Sequence, residues 1–437
     1  MHQRLHGSPV QRGGDKAPYV AAKNTNVTAR TDLADDVIVS QLASRKCRGD
    51  RDVRERFEFV PVISDLFVYS VFWDARHNDF DNKDGGAHLR IMTLIKARLA
   101  KTTPPIRCWF RHNDTWLSAP ASYYEMCENH GRPYGGFILS CKVPSLLISQ
   151  DRTPLCSVHI SPSDRPPNAS DVTTQFAIID TTALETQRDF SMCVAPLYGD
   201  LEFTPIIEFL ELSTLLGAKH VTFYDFQLSV QVRKLIEWYA SQGRATLLPW
   251  KLNEEVDKVV WYHGQLISIL DCLFRNMATS KYLLFNDIDE YVIPYEFADW
   301  SDMMRQLDGP DVVGLQFNSA FVDPNKQEDV PASVAHLRSI AHVRRTALIS
   351  RVRTKCLVKP QLLFEPGIHH ISKPLLAHLR TLRLDLPQAL LLHHRTCQSN
   401  FGMRCRDFVE DDVIRARYGD ALQERFDASL EAFSKTL

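Results

Sequence analysis

Asp287 and Asp289 end the short apolar run Lys281-Tyr282-Leu283-Leu284-Phe285-Asn286, and no other residues of the chain are so clearly suited to chemistry. In an extended backbone, residues i and i+2 face the same side. Both carboxylates therefore point one way while Ile288 points back toward a core. Two hard oxygen ligands beyond the carboxyl end of a buried strand suit Mg²⁺ or Mn²⁺ carrying a diphosphate. That is the chemistry of a sugar-nucleotide site, with Asp289 as the primary metal ligand and Asp287 on the metal or the ribose. The plain alternative is a solvated acidic turn after an edge strand. A metal held in this way often takes an imidazole as well. His369 and the pair His393-His394 are the candidates, His394 being the expected member of the pair, against the competing reading of satisfied structural histidines.

The elements around these residues alternate. Met192-Cys193-Val194-Ala195-Pro196-Leu197 reads as a strand, and Thr204-Pro205 opens a helix as cap and first-turn proline. Phe209, Leu212 and Leu216 continue that helix to Gly217. The strand His220–Tyr224 then runs to Asp225, a helix passes through Val232, Leu235 and Trp238 to Gly243, and a strand Ala245–Leu248 stops at Pro249. Leu266, Ile269, Leu270, Leu273, Phe274 and Met277 form a helical apolar face that leads into the strand before the aspartates. Four such alternations predict a mostly parallel, Rossmann-like sheet with helices on both faces, where ligands bind beyond the carboxyl ends of the strands. Asp225, Asp287 and Asp289 all fall at such ends.

Ahead of this region, residues 1–54 are polar and poor in aromatics and read as a disordered stem or linker. Residues 55–188 form strand-like runs such as Leu66–Trp73, Leu89–Ile95 and Phe137–Cys141. Turn signals at Gly85-Gly86, Pro104-Pro105, Gly135-Gly136 and Pro166-Pro167 separate them and predict a β-rich accessory domain. Residues 189–437 are then the catalytic domain. The 437 residues suffice for two or three cores, and 44% hydrophobic with 24% charged residues is ordinary for a globular chain. A formal net charge of −2 offers no basic field for nucleic acid, which is excluded as a partner. No apolar stretch approaches the roughly 20 residues of a spanning helix. Ten cysteines without a CxxC pair, and sequons at Asn26, Asn113 and Asn168, point to a secretory lumen.

The stretch Trp261-Tyr262-His263-Gly264-Gln265, with Asp271-Cys272, Arg275-Asn276 and Phe285-Asn286-Asp287-Ile288-Asp289-Glu290-Tyr291, resembles glycosyltransferase family 92. Supporting matches are Tyr69–Arg76, Val194–Gly199, Lys355–Pro360, Gly367-Ile368-His369 and His393-His394-Arg395, so the similarity spans residues 57 to 420. The resemblance implies a GT-A fold and a Golgi-type single-pass membrane protein whose anchor is not in this sequence. It implies transfer of galactose from a UDP-sugar donor to a glycan acceptor, fucose of an N-glycan core in the members compared, with inversion at the anomeric carbon.

Further roles follow for residues near the strand ends. Pro196, Tyr198 and Asp225 are expected to hold uracil and ribose, since an aromatic face with a carboxylate is ordinary nucleoside recognition. His263, Gln265 and Arg275 lie on or near the helix before the aspartates. Arg275 either grips phosphate bidentately or pairs with Asp271 one turn away. Lys355 and Arg395 are further phosphate candidates. Inversion requires a carboxylate base, for which Asp323 and the cluster Glu410-Asp411-Asp412, with Asp412 foremost, are the expectations. Two rival readings are a catalytically silent glycan- or nucleotide-sugar-binding protein and a metal-dependent phosphohydrolase. The second is disfavoured because Tyr291 stands where such enzymes usually carry serine or threonine.

Overall fold

The computed structural model describes residues 53–97, 105–148, 155–168, 173–182, 184–327, 334–400 and 403–437. The stem expected over residues 1–54 lies outside the described residues as far as position 52, as do Cys47 and the sequon at Asn26. The chain is mixed α/β, built on two large sheets. Among the described residues, no helix is long and apolar enough to cross a membrane.

The first sheet contains eight strands between Val60 and Ala177, and every pairing in it is antiparallel. Gly135-Gly136, read from sequence as a turn, lies instead inside the strand Tyr134–Lys142. A Cβ at Gly135 would collide with the Asn129 side chain, and Asn129 Oδ1 accepts a hydrogen bond from Gly136 N at 2.6 Å. Those glycines serve close approach within a strand, a use that local composition does not separate from a turn.

The second sheet begins where the sequence pattern changes. Its first four neighbours are Ala245–Pro249, His220–Asp225, Arg188–Cys193 and Ser280–Phe285, all parallel. The helices between them are Phe203–Leu216, Val230–Ser241 and Gln265–Asn276. The first stops at Gly217, whose φ of 129° suits glycine, and the second opens with Ser229 accepting from Val232 N. Beyond Ser280–Phe285 the sheet turns mixed, continuing through Ser350–Val358, Val312–Phe321, Ala389–His393 and Glu290–Pro294. This half carries no βαβ spacing, because its partners lie far apart along the chain.

Both faces of this sheet carry helix, as expected, but unequally: several helices cover one face and a single helix covers the other. Phe190, Met192, Phe223, Leu284 and Leu315 face helices Phe203–Leu216, Val230–Ser241, Trp300–Leu307 and the C-terminal Val413–Ser434. On the other face, Tyr224, Leu283 and Phe285 meet the helix Gln265–Asn276, whose Leu266, Ile267, Leu270 and Phe274 also contact Tyr69, Phe72, Met92 and Ile138 of the first sheet. One helix therefore lies between two sheets and is buried almost all round. The Cys193–Cys272 disulfide ties it to the central strand.

A helix so enclosed must neutralise its own polar side chains. Asp271, fully buried, accepts from Ser70 Oγ at 2.6 Å, Tyr224 OH at 2.7 Å and Arg275 Nε at 2.6 Å. Arg275 also pairs with Glu55. Arg275 is thereby occupied between the layers, which corrects its assignment as a phosphate clamp. Breaking a buried pair strands a charge, whereas losing one neutral donor does not. Asp271→Ala is expected to cost about 3–5 kcal/mol in chemical denaturation, against about 1 kcal/mol for Ser70→Ala. Equal effects would contradict the charge as the centre of this network.

Candidate active site

The strand Ser280–Phe285 ends against a turn that is tightly specified by backbone contacts. Asn286 N donates to Cys193 O at 3.3 Å, Asn286 Nδ2 to Glu290 O at 2.8 Å, and Glu290 N to Asp287 O at 3.2 Å. The turn leaves the side chains of Asp287 and Asp289 at the rim, 40% and 38% exposed, while Glu290 is buried at 3%.

Glu290 organises what lies beneath the rim, and the sequence reading gave it no role. Its Oε2 accepts from Asp287 N at 2.8 Å and meets Lys355 Nζ at 3.1 Å, and its Oε1 is 3.4 Å from His393 Nδ1. Lys355 also reaches Asp287 Oδ2 at 3.1 Å, and His393 Nε2 lies 3.3 Å from Asp289 Oδ2. Burial raises the Glu290 carboxyl above its ordinary value, a shift that Lys355 opposes without cancelling. Burial would also raise Asp289, but the adjacent His393 outweighs it and holds that carboxyl low. Asp289 therefore stays ionised.

The histidines separate into different environments. Asp289 O accepts from His394 N at 2.7 Å, and Tyr291 stands edge-on to the His394 ring. Both His394 ring nitrogens are buried without a hydrogen-bond partner, and burial pushes the ring down to about 3. The contact between His394 and Asp289 thus runs through the backbone, and the ring itself stays neutral. His393 Nε2 likewise lacks an aligned hydrogen bond, although it is the imidazole nearest Asp289. His369 stands on the Lys355 side, its Nδ1 3.1 Å from Thr354 O. Burial and Lys355 push it down to about 4.

A small cleft opens beside Asp287, lined by Ala195, Gln265, Asn286, Asp287, Lys355 and Ile368. It lies over the carboxyl ends of Arg188–Cys193 and Ser280–Phe285, as the strand pattern predicts. Tyr198, 42% exposed, packs its ring 4.1 Å from His263, which in turn lies 4.6 Å from Phe226. Burial raises the Tyr198 hydroxyl above its ordinary value, with Tyr262 and Asp287 adding to the shift and Arg395 opposing it. The His263 ring is aimed by an unusual turn: Tyr262, His263 and Gly264 take φ of 40°, 55° and 80° in succession. His263 Nδ1 pairs with Asp257 at 2.6 Å, and His263 O accepts from Trp250 Nε1 at 2.7 Å.

Other expected site residues are occupied elsewhere. Pro196 is buried, and exposed Tyr198 follows it in the chain. Asp225 sits at its strand end as expected, but its Oδ2 pairs with Arg233 at 2.8 Å and its Oδ1 accepts from Leu228 N. Asp323 is buried, its Oδ1 accepting from Asn325 N and its Oδ2 from Cys397 N, so it anchors a loop. Asp412 is exposed just before the C-terminal helix, while Asp411 pairs with Arg345 and Tyr295. The distant partners among these, Cys397 for Asp323 and Arg345 and Tyr295 for Asp411, are ones that spacing does not reveal.

Residues 188–430 match the family model described as glycosyltransferase family 92. The beta-1,4-galactosyltransferase galt-1 of Caenorhabditis elegans is 28% identical over 385 residues, covering 86% of this chain and 83% of that protein. The galactan beta-1,4-galactosyltransferase GALS2 of Arabidopsis thaliana is 23% identical over 201 residues, 41% of this chain and 37% of that one. The glycosyltransferase family 92 protein F13G3.3 of Caenorhabditis elegans is 26% identical over 125 residues, 26% of this chain and 25% of its own length.

The charge arrangement has a pH signature. Burial favours neutral His393, but the Glu290 and Asp289 carboxylates outweigh it and raise the imidazole above its ordinary value. A histidine raised on folding adds stability that is complete below its unfolded value and is lost as pH climbs through the folded one. His369 and His394 are shifted downward, so their contributions change only below about 6.5. Metal-free protein should therefore lose stability as pH rises above about 6.5, and His393→Gln should flatten that decline. Denaturant titrations across pH test this; an unchanged slope in the variant would contradict the pairing.

Proposed function

The chain belongs to glycosyltransferase family 92, and we propose that it is a metal-dependent galactosyltransferase moving galactose from UDP-galactose to a glycan hydroxyl. The observation that carries the reading is the pair of rim carboxylates, Asp287 and Asp289, fixed at a strand end by buried Glu290, Lys355 and His393. In this reading residues 55–188 form an accessory domain and residues 189–437 a GT-A catalytic domain.

Asp287 and Asp289, with His394 or His393 completing the set, would hold Mn²⁺ or Mg²⁺, which when bound offsets the negative charge gathering on the departing UDP. The chain's own residues do the remaining work. Tyr198, backed by His263 and Phe226, supplies a stacking face for uracil. Lys355 and Arg395 place positive charge beside Asp287 and Asp289, where the diphosphate would lie. Gln265 and Asn286 present polar groups to the cleft, and Ile368 and Ala195 narrow it against water. Asn286 Oδ1 is buried without a partner there, as a donor-sugar or ribose contact would require.

Two relatives carry β-1,4-galactosyl transfer in their names. Galactose is α-linked in UDP-galactose, so a β-linked product demands inversion and a base on the acceptor side. With Asp323 occupied in its loop, Asp412 is the remaining candidate of the two expected. A fucosylated N-glycan core is the first acceptor to test. The disulfides Cys108–Cys141, Cys193–Cys272 and Cys397–Cys405 fit an oxidising compartment, and we place the protein in the Golgi or another secretory-pathway membrane with a lumenal active site.

Purified protein with Mn²⁺ and a fucosylated glycan should release UDP from UDP-galactose. Asp289→Ala should lower kcat/KM by roughly a hundredfold or more. Metal-dependent UDP binding without turnover would instead indicate a silent binder, and phosphate release from simple phosphoesters a hydrolase. Tyr198→Ala should weaken UDP binding by about 1–3 kcal/mol in calorimetry; unchanged affinity would place the base elsewhere.

A further inference from the structure

A second group of ligand-type side chains lies behind the turn that carries Ile368 and His369. Cys127 and Glu128 follow the first-sheet strand Thr115–Glu125, and His370 and Ser372 belong to the segment after Gly367. Cys127 Sγ is 3.6 Å from His370 Nε2 and 2.9 Å from Ser372 Oγ, and Glu128 Oε1 is 3.6 Å from His370 Nδ1. One donor atom from each of Cys127, Glu128 and His370 falls within 4.8 Å of the other two. Donors around a tetrahedral zinc ion sit roughly 3.5 Å apart, given bonds of about 2.0–2.3 Å. The two 3.6 Å separations use opposite nitrogens of the His370 ring; with one nitrogen as donor the three atoms still lie within 4.8 Å of one another, and the set closes by drawing in on the ion.

The two segments are held together independently of any ion. Ile368 N donates to Glu128 Oε2, and Cys127 N donates to Glu365 Oε1 at 2.8 Å. Gly367 makes the approach possible: a Cβ there would lie 2.7 Å from His370 O and 2.8 Å from both Glu128 Oε2 and Ser372 Oγ. Glu128 Oε1 is left facing His370. Cys127 is exposed and unpaired in a chain whose described residues include three disulfides. A reduced thiol next to imidazole and carboxylate, each from a fixed backbone, is the donor chemistry of zinc.

We propose that Cys127, Glu128 and His370 bind a Zn²⁺ ion, with water or Ser372 in the fourth position. The ion pins the turn containing Ile368 and His369 to the first sheet. The thiolate selects zinc over the manganese or magnesium expected between the aspartates, because soft sulfur suits Zn²⁺ and hard oxygen suits the others. Since Ile368 lines the cleft beside Asp287, the site is a structural one that sets cleft shape from the accessory side. It needs no transfer reaction to be detected, so its failure and that of the proposed activity are separable.

The test is a titration of metal-free protein with Co²⁺, which reports sulfur ligation through a thiolate-to-metal absorption band. One equivalent should raise the band in wild type and in Asp289→Asn, and Zn²⁺ should bleach it. Cys127→Ser should lack it. Zn²⁺ should also slow alkylation of Cys127, resolved by peptide mass spectrometry from buried Cys356, by roughly tenfold or more, and His370→Gln should lose that protection. Absence of the band at stoichiometric Co²⁺, equal alkylation with and without Zn²⁺, or Cys127 recovered as a disulfide between two copies would each overturn the proposal.

Discussion

Burying the Glu290 carboxylate sets the terms for everything around it. An acid at 3% exposure is tolerated only with hydrogen bonds and opposite charge close by. Lys355, His393 and the Asp287 amide supply them, drawn from the strands Ser350–Val358 and Ala389–His393 and from the turn itself. The same Lys355 and His393 extend to Asp287 and Asp289, so two half-exposed aspartates inherit the rigidity of a buried cluster. In the proposed function these carboxylates hold a cation, and such ligands need that support, since one that can rotate away contributes less affinity.

The mixed half of the second sheet thus has a definite purpose. Four parallel strands deliver the aspartates to a rim, and the strands that follow bring a lysine and two histidines back beneath them. The opposite face must then be closed without crowding the cleft. A single helix does so, covered in turn by the antiparallel sheet and fastened through Cys193–Cys272 and the Asp271 network. Fold stability and site geometry share that helix, because its first residue, Gln265, lines the cleft.

How much of this the sequence disclosed depends on the range of the interactions. The parallel strands and their helices were legible because period and stop signals are local: Gly217 and the apolar face of Gln265–Asn276 sit where the pattern indicates, whereas the first helix starts at Phe203 behind Glu202 rather than on a Thr204 cap. The rim position of Asp287 and Asp289 followed from the same alternation. The support for them did not, since Glu290 pairs in register with His393 and Leu357 with Leu284 across long stretches of chain. Asp225 and Asp323 were attractive as polar residues near a predicted site, yet Arg233 and the Cys397 amide hold them; for Arg275 the spacing did offer its Asp271 partner, but not Glu55. The sequence favoured His394 over His393, yet it is His393 whose ring touches the acidic cluster, while His394 has two orphaned nitrogens.

The central claim is that Glu290 fixes the aspartates for cation and nucleotide. Calorimetric titration of Glu290→Gln with Mn²⁺ and UDP, beside wild type, addresses it directly, with circular dichroism to verify the fold. The account predicts a folded variant whose affinity falls by about 10–100-fold. A folded variant that binds Mn²⁺ and UDP as tightly as wild type would contradict it.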